Sequence, residues 1–338
     1  KKYKEKFIGD REFYANLIRL IIPMIVQQGI TSFVSLLDNV MVGRLGTESM
    51  SGVAIVNQLL FVFNLTIFGG LAGASIFGAQ FYGKGDHKGV RYALRFKLIF
   101  SVLMAVIAIV ALLFFNNPLI SLFLTESESG GDLVLTLSEA KNYLFVMLIG
   151  LIPFSFSQSY SSTLRETGET VSPMTASIIA IVTNFVLNYI LIFGSFGAPR
   201  LGVVGAAIAT VAAQLISTLG CFLYAFLKYP ELRLHREDWR ITRRDVTRHL
   251  IQGIPLGLQF SVLAIGIIVM QSVIVQFDTL GGEMVSNAAQ NGFGAANKLN
   301  NLLMTPLNGL GAAMTSFTAQ NLGAGDHARI KKGTVQAL

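Results

Sequence analysis

Residues 69–87 read GGLAGASIFGAQFYGKGDH, and residues 309–327 read GLGAAMTSFTAQNLGAGDH. Nine of these 19 positions are identical at an offset of 240, and both copies end in Q-x-x-G-x-G-D-H. Self-similarity at a fixed spacing marks a duplicated structural unit. Upstream, Ile22-Pro23 with Gln27 matches Ile254-Pro255 with Gln259 at an offset of 232, so the second unit carries eight extra residues between its first two segments. Each copy ends an apolar run at a glycine-rich turn.

Composition says what medium surrounds those runs. The chain has 338 residues, 52% hydrophobic and only 13% charged, with a mean hydropathy of +0.59. Soluble domains carry about 25% charged residues. Apolar runs of about 20 residues, enough to cross a hydrocarbon core of ~30 Å, recur along the chain. The spacing predicts membrane spans over 14–42, 52–80, 93–115, 139–162, 172–195, 203–228, 249–277 and 288–321. The expected fold class is all-α, a polytopic membrane helical bundle. The first run is too long for a cleavable signal and lacks a small-residue cleavage pattern, so it reads as a retained span.

The net charge of +7 suggests nucleic acid until the charges are placed. Lys and Arg gather in Lys1–Arg19, Lys84–Lys97, Lys228–Arg248 and Arg329–Lys332, each beside an apolar run. With the N-terminus inside, the cytoplasmic set of connectors holds 22 of the 26 basic residues, leaving Arg44, Lys141, Arg200 and Lys298 outside. By the positive-inside rule, the N-terminus and the basic connector 229–248 are cytoplasmic, the lipid bilayer is the partner, and nucleic acid is excluded. The single Cys221 supplies no disulfide framework, and no histidine pairs at metal-ligand spacing.

Both repeat units begin on the cytoplasmic side, six helices apart. They are therefore parallel repeats, related by an axis along the membrane normal. The expected organisation is a first six-helix lobe over 1–228, a basic linker over 229–248 and the first two helices of a second lobe over 249–338. Six helices between equivalent points predict twelve in the complete protein, of which this chain is expected to be a portion.

Pro23, Gln27, Asp38, Val42-Gly43-Arg44-Leu45-Gly46, Ala79-Gln80 and Gly83-x-Gly85-Asp86, with their echo from Pro255 to Asp326, resemble the multidrug and toxic compound extrusion family. The turn Leu164-Arg165-Glu166-Thr167-Gly168-Glu169-Thr170 before Pro173-Met174, the pair Asn184 and Asn188, and Gly205-Ala206-Ala207 with Thr210 extend the resemblance over nearly the whole chain. It implies two six-helix lobes that alternate access and export organic, often cationic and amphipathic, small molecules. Entry of H⁺ or Na⁺ would drive the exchange, with no other cofactor and a monomer as the working unit.

Asp38 is the residue on which coupling would turn. A carboxylate at a helix centre costs about 2.5–3.5 kcal/mol on insertion scales, so it faces a cavity or a partner. Gln27, Thr31, Ser35 and Asp38 follow one another at +4, +4 and +3, a single polar stripe on an apolar helix; the first three are the candidate substrate-cavity residues, joined by Gln259 in the second unit. The alternative is a solvated Asp38 in the outer interface, five residues before Gly43. The resemblance assigns the matching acid a cation-coupling role. Asn184 and Asn188 share one helical face and need partners in a span. Tyr143 and Thr210 join them by resemblance.

Two departures bear on chemistry. Part of the family has a second carboxylate where this chain has Asn188, and some members have a Glu on the seventh helix, where 253–276 carries only Gln259, Gln271 and Gln276. Asp38 is then the lone candidate charge of the first lobe. Pro23 inside a helix would remove an i→i−4 hydrogen bond and kink it; the alternative places it in the first turn. The resemblance makes Pro23 a hinge tied to Asp38, with Pro255 as its counterpart.

Other functions fit less well. A flippase for a lipid-linked precursor needs a basic central cavity, and the span interiors carry almost no Lys or Arg. A membrane-embedded enzyme needs clustered acids or histidines at membrane depth, so the chain reads as a non-enzyme. Gly83-Lys84-Gly85-Asp86-His87 lacks the spacing and preceding strand of a phosphate loop; it reads as a helix end followed by an Asp cap. The connector 229–248 reads as a solvated linker or as a segment on the anionic inner leaflet.

Overall fold

A computed structural model describes residues 11–121, 132–239, 243–277, 279–280, 283–284 and 288–337. Among them the chain is helical almost throughout. The helices are α1 (Arg11–Gly43), α2 (Thr47–Gly83), α3 (His87–Phe114), a short α4 (Asn116–Ser121), α5 (Leu133–Glu166), α6 (Val171–Phe193), α7 (Val203–Lys228), α8 (Arg243–Phe277), α9 (Ala288–Gly323) and α10 (His327–Ala337). A two-residue antiparallel ladder pairs Thr279 with Met284 and Leu280 with Glu283, the one exception to the expected all-α class. Among the described residues six helices, with the first taken from Phe13, are long and apolar enough to cross a membrane: α1, α2, α3, α5, α6 and α7. At 35 and 36 residues, α8 and α9 have the length as well.

The core sits where α2, α5, α6 and α7 meet. Val56, Leu144, Ile192 and Ala207 are each fully buried there. The opposite faces carry exposed Phe33, Val62, Phe68, Leu103, Ile107, Ile149 and Ile179. So much exposed apolar surface suits hydrocarbon and not water.

The repeated motif forms the same structure twice. After Gly83, the chain turns at Gly85 with φ 75, and after Gly323 at Gly325 with φ 78. The αL region is readily open only to glycine. Asp86 Oδ1 accepts from Gly89 N at 2.9 Å, and Asp326 Oδ1 accepts from Arg329 N at 2.9 Å. These are side-chain N-caps. The expected cap reading of Gly83–His87 holds in both copies.

Glycines let the two units approach closely. A Cβ on Gly69 would fall 2.6 Å from Gly257 Cα, and one on Gly73 would collide with Gly253. α2 therefore packs backbone to backbone on α8, the small-residue contact that membrane helices use. α9 packs against both α1 and α2.

Several boundaries differ from expectation. α5 runs on to Glu166 instead of ending at 162, and α8 begins at Arg243, so residues 243–248 of the expected linker are helix. His249 lies in α8, buried and stacked on Phe96 with centroids 4.5 Å apart. The first half of the linker is docked instead of freely solvated. Leu232 and Asp238 are buried, Asp238 Oδ2 accepts from Arg91 Nε at 2.9 Å and from His235 N at 2.9 Å, and Arg95 donates to the Asp238 carbonyl. Burial pushes the Asp238 carboxyl pKa up, but the His235 N–H and the Arg91 guanidinium outweigh it and hold it below the usual aspartate value.

Candidate functional site in the first lobe

α1 is the least buried of the six spanning helices and meets the bundle mainly through α6 and α9. On its α6 side the polar residues converge. Asn188 Nδ2 donates to Asp38 Oδ1 at 2.6 Å and lies 3.1 Å from Asn184 Oδ1. Asn184 Nδ2 lies 3.3 Å from Thr210 Oγ1. Turned end for end, the Asn184 amide donates to Asp38 Oδ1 and Oδ2 at 3.1 and 3.3 Å and accepts from Thr210 Oγ1 and N, both at 3.3 Å. The two amide ends have the same shape, so hydrogen-bond chemistry chooses between them. In either orientation the carboxyl of Asp38 rests against asparagine amides.

The neighbours explain the geometry. Asn184 and Asn188 are one turn apart on α6 and buried, so both amides present to the same face. Thr210 Oγ1 also donates to the Ala206 carbonyl at 3.0 Å, which fixes its rotamer. Tyr143, buried on α5, lies beside Thr210. Gly205 allows α7 to reach α6, because a Cβ there would lie 2.7 Å from the Leu191 backbone. Four helices thus place one carboxyl, two amides and two hydroxyls in one cluster. Such a set supplies only oxygen donors and dipoles, suited to exchanging a proton or a hard monovalent cation. Among the described residues no three His, Cys, Asp or Glu side chains group as metal ligands.

The rest of the α1 stripe does not join this cluster. Gln27 Nε2 donates to Ser177 Oγ at 2.7 Å, and Gln27 Oε1 accepts from Arg165 Nη2 at 3.3 Å, which places it in a separate network at the other end of α6. Thr31 is exposed and turns its hydroxyl back to the Gln27 carbonyl at 2.8 Å. The Ser35 side chain lies outside the described residues. Gln259 and Pro255 are exposed on α8, away from Asp38. Pro23 is buried inside α1, twelve residues from its start, so the first-turn alternative is set aside.

One buried group escaped the sequence reading. Lys97 on α3, fully buried, is ion-paired with Glu166 of α5 and donates to Thr163 Oγ1 at 3.0 Å. Asp38 is therefore not the sole acid within a helix, and the spans are not free of internal lysine. The pair was visible only as a basic residue early in one run and an acid just beyond another. A one-turn extension of α5 was needed to bring them together. Because Glu166 neutralises Lys97, the pair does not make the basic cavity that a flippase would need.

The MatE family pattern matches residues 23–190 and again 255–338. The matches begin at Pro23 and Pro255, the same correspondence that the repeat establishes. The probable multidrug resistance protein NorM of Thermotoga maritima is 27% identical over 319 residues, covering 93% of this chain and 64% of that relative. The FAD transporter of Shewanella oneidensis is 26% identical over 307 residues, covering 90% of this chain and 64% of that relative. This chain thus spans less than two thirds of the length of these curated relatives. A solved structure described as "Crystal structure of MATE in the bent conformation" superposes on all of this chain and 71% of that one, with a TM-score of 0.83 at 23% identity. With a fold, a duplication and a family pattern that coincide over most of its length, the chain is a member of the MatE family and a multi-pass membrane protein.

Proposed function

We propose that the complete protein is a secondary antiporter that exports small organic compounds in exchange for H⁺ or Na⁺, with Asp38 as the coupling carboxylate. The observation that carries this reading is the Asp38–Asn188 contact of 2.6 Å. A lone acid in a spanning helix is costly, and here its partners are neutral amides and not a counter-ion. Its charge is therefore free to change with the bound ion. Occupation by a proton or cation would remove the charge that orders Asn184, Asn188 and Thr210. The amides would then turn to other partners, and the face of α6 toward α1 would change.

The substrate belongs to the same proposal. The relatives carry names as different as multidrug resistance protein and FAD transporter, so we infer an amphipathic organic substrate, cationic in the first instance. Gln27 and Thr31 would line its path on the cytoplasmic side of Asp38. Pro23, which leaves α1 without one internal hydrogen bond, would serve as the hinge that carries a change at Asp38 along the helix.

Vesicles holding the full-length protein and an imposed proton or Na⁺ gradient test the reading directly. Asp38→Asn is expected to insert normally and to lose gradient-driven efflux of organic cations. Efflux at the parent rate from Asp38→Asn would remove this residue from the mechanism.

A further inference from the structure

The duplicated segments do more than resemble each other: they touch. A Cβ built on Gly83 would collide with the Gln320 carbonyl oxygen, and one built on Gly323 would collide with the Gln80 carbonyl oxygen. Residue for residue the contact is reciprocal, as a twofold relation between crossing helices requires. Ala79 and Ala319, four residues before the two glycines, are both buried at this crossing. It is a contact of backbones through glycine.

One side chain ties the crossing to the first lobe. Gln320 Nε2 donates to the Glu166 carbonyl at 2.5 Å, and Ser316 Oγ donates to the Arg165 carbonyl at 3.4 Å. The acceptor is held from behind: Glu166 is ion-paired with Lys97, Lys97 is bonded to Thr163, and a Cβ on Gly78 would strike the Glu166 carboxylate. Arg165 reaches Gln27, which reaches Ser177. The same end of the molecule therefore joins α1, α5, α6 and α9. Gln80, the counterpart of Gln320, faces a cleft of about 550 Å³ lined by Ile76, Leu310, Met314 and Thr318.

We propose that the duplicated Ala-Gln-x-x-Gly segments form a clasp that holds the two lobes together on the cytoplasmic side, with Gln320 as the residue that positions it. The clasp rests on the two-lobe transport reading for its purpose, but its geometry stands apart from any substrate. Opening toward the cytoplasm requires the paired glycine contacts to part and the Gln320 and Ser316 bonds to α5 to break.

The test uses full-length protein in lipid vesicles, in a background without other cysteines, with Cys221→Ser. Cysteines replace Lys84 and Ala324, the exposed residues that follow the two glycines. A short bis-maleimide is expected to cross-link them in the parent. Gln320→Leu is expected to lower the cross-linking rate about fivefold, as the loss of one half-buried hydrogen bond implies. It should raise the reactivity of either single cysteine toward a cytoplasmic maleimide by a similar factor. Gly323→Leu should do the same, with melting in detergent followed to separate opening from misfolding. Gln320→Asn, which keeps the amide and shortens its reach, should give the same loss while folding as the parent. If Gln320→Leu and Gln320→Asn both cross-link within twofold of the parent, the clasp is overturned. If the cross-linking pattern holds but locking the clasp leaves gradient-driven flux unchanged, the clasp stands and the transport reading fails.

Discussion

Asp38 and Glu166 are both carboxylates inside helices, and they are handled in opposite ways. Asp38 has amides for neighbours, whereas Glu166 has a lysine. The first arrangement leaves a charge able to change; the second cancels it. Removing one member of a buried ion pair strands the other and typically costs about 3–5 kcal/mol, while replacing both is often close to neutral. Lys97→Met is therefore expected to lower the melting temperature in detergent markedly, and Lys97→Met with Glu166→Gln to recover most of the loss. A single Lys97→Met variant that melts with the parent would mean that the pair does not contribute to stability. Asp38→Asn, by contrast, should melt close to the parent, because an amide can occupy the same pocket without the cost of a buried charge. Asp38 could be picked out from its own helix by the +4, +4, +3 stripe. Glu166 could not, because its significance depends on where α5 ends and on what α3 places beside it.

At the level of elements, the helices that flank the two repeated turns ended where caps and glycines in the sequence placed them. Asp86 and Asp326 cap as their repeated context implied, and Gly85 and Gly325 turn the chain through αL. The linker is different, since its charged composition reads as solvated but its first half is pinned to α3 by Asp238. With a carboxyl pKa held below the ordinary aspartate value, Asp238 contributes stability that is present above that value and lost as pH falls through the lower, folded one. Trp239 is the only tryptophan in the chain, is half exposed, and directly follows Asp238, so its fluorescence reports docking. The emission is expected to stay constant from neutral pH down to the ordinary aspartate range and to shift as the solution is made more acidic than that. Asp238→Asn should show the shifted emission already at neutral pH, with about 2 kcal/mol of docking lost with the charge-assisted bonds. Identical spectra for the two proteins at neutral pH would mean that Asp238 does not hold the linker.

On the scale of the molecule, glycine sets the closest approaches between the two units. Gly69 and Gly73 admit α8, and Gly83 and Gly323 admit each other. A side chain at Gly69 has to push α8 away, so Gly69→Val is expected to cost about 1–3 kcal/mol, the usual penalty for overpacking. Thermal unfolding of the purified protein measures it, and a melting temperature equal to that of the parent would show that α2 and α8 do not rely on this approach. The site does not share this dependence. Asp38, Tyr143, Asn184, Asn188 and Thr210 all belong to the first unit, so a perturbation at Gly69 should weaken the join between units more than it disturbs the contacts around Asp38.

The sequence by itself determined the class of structure and its duplication. Apolar run length answers to bilayer thickness, and the repeated glycine–aspartate turn to local backbone geometry; neither needs a distant partner. It also singled out Asp38 and the asparagine pair, since a polar side chain in an apolar helix declares itself through periodicity alone. Tertiary structure decided what depends on juxtaposition. It separated Gln27 from Asp38 although one stripe carries both, paired Lys97 with Glu166 across 69 positions, and brought two copies of one motif into contact with each other. The physical reason is the same in each case. Helical periodicity says which face of a helix is polar, but only packing says which neighbour that face meets at each turn.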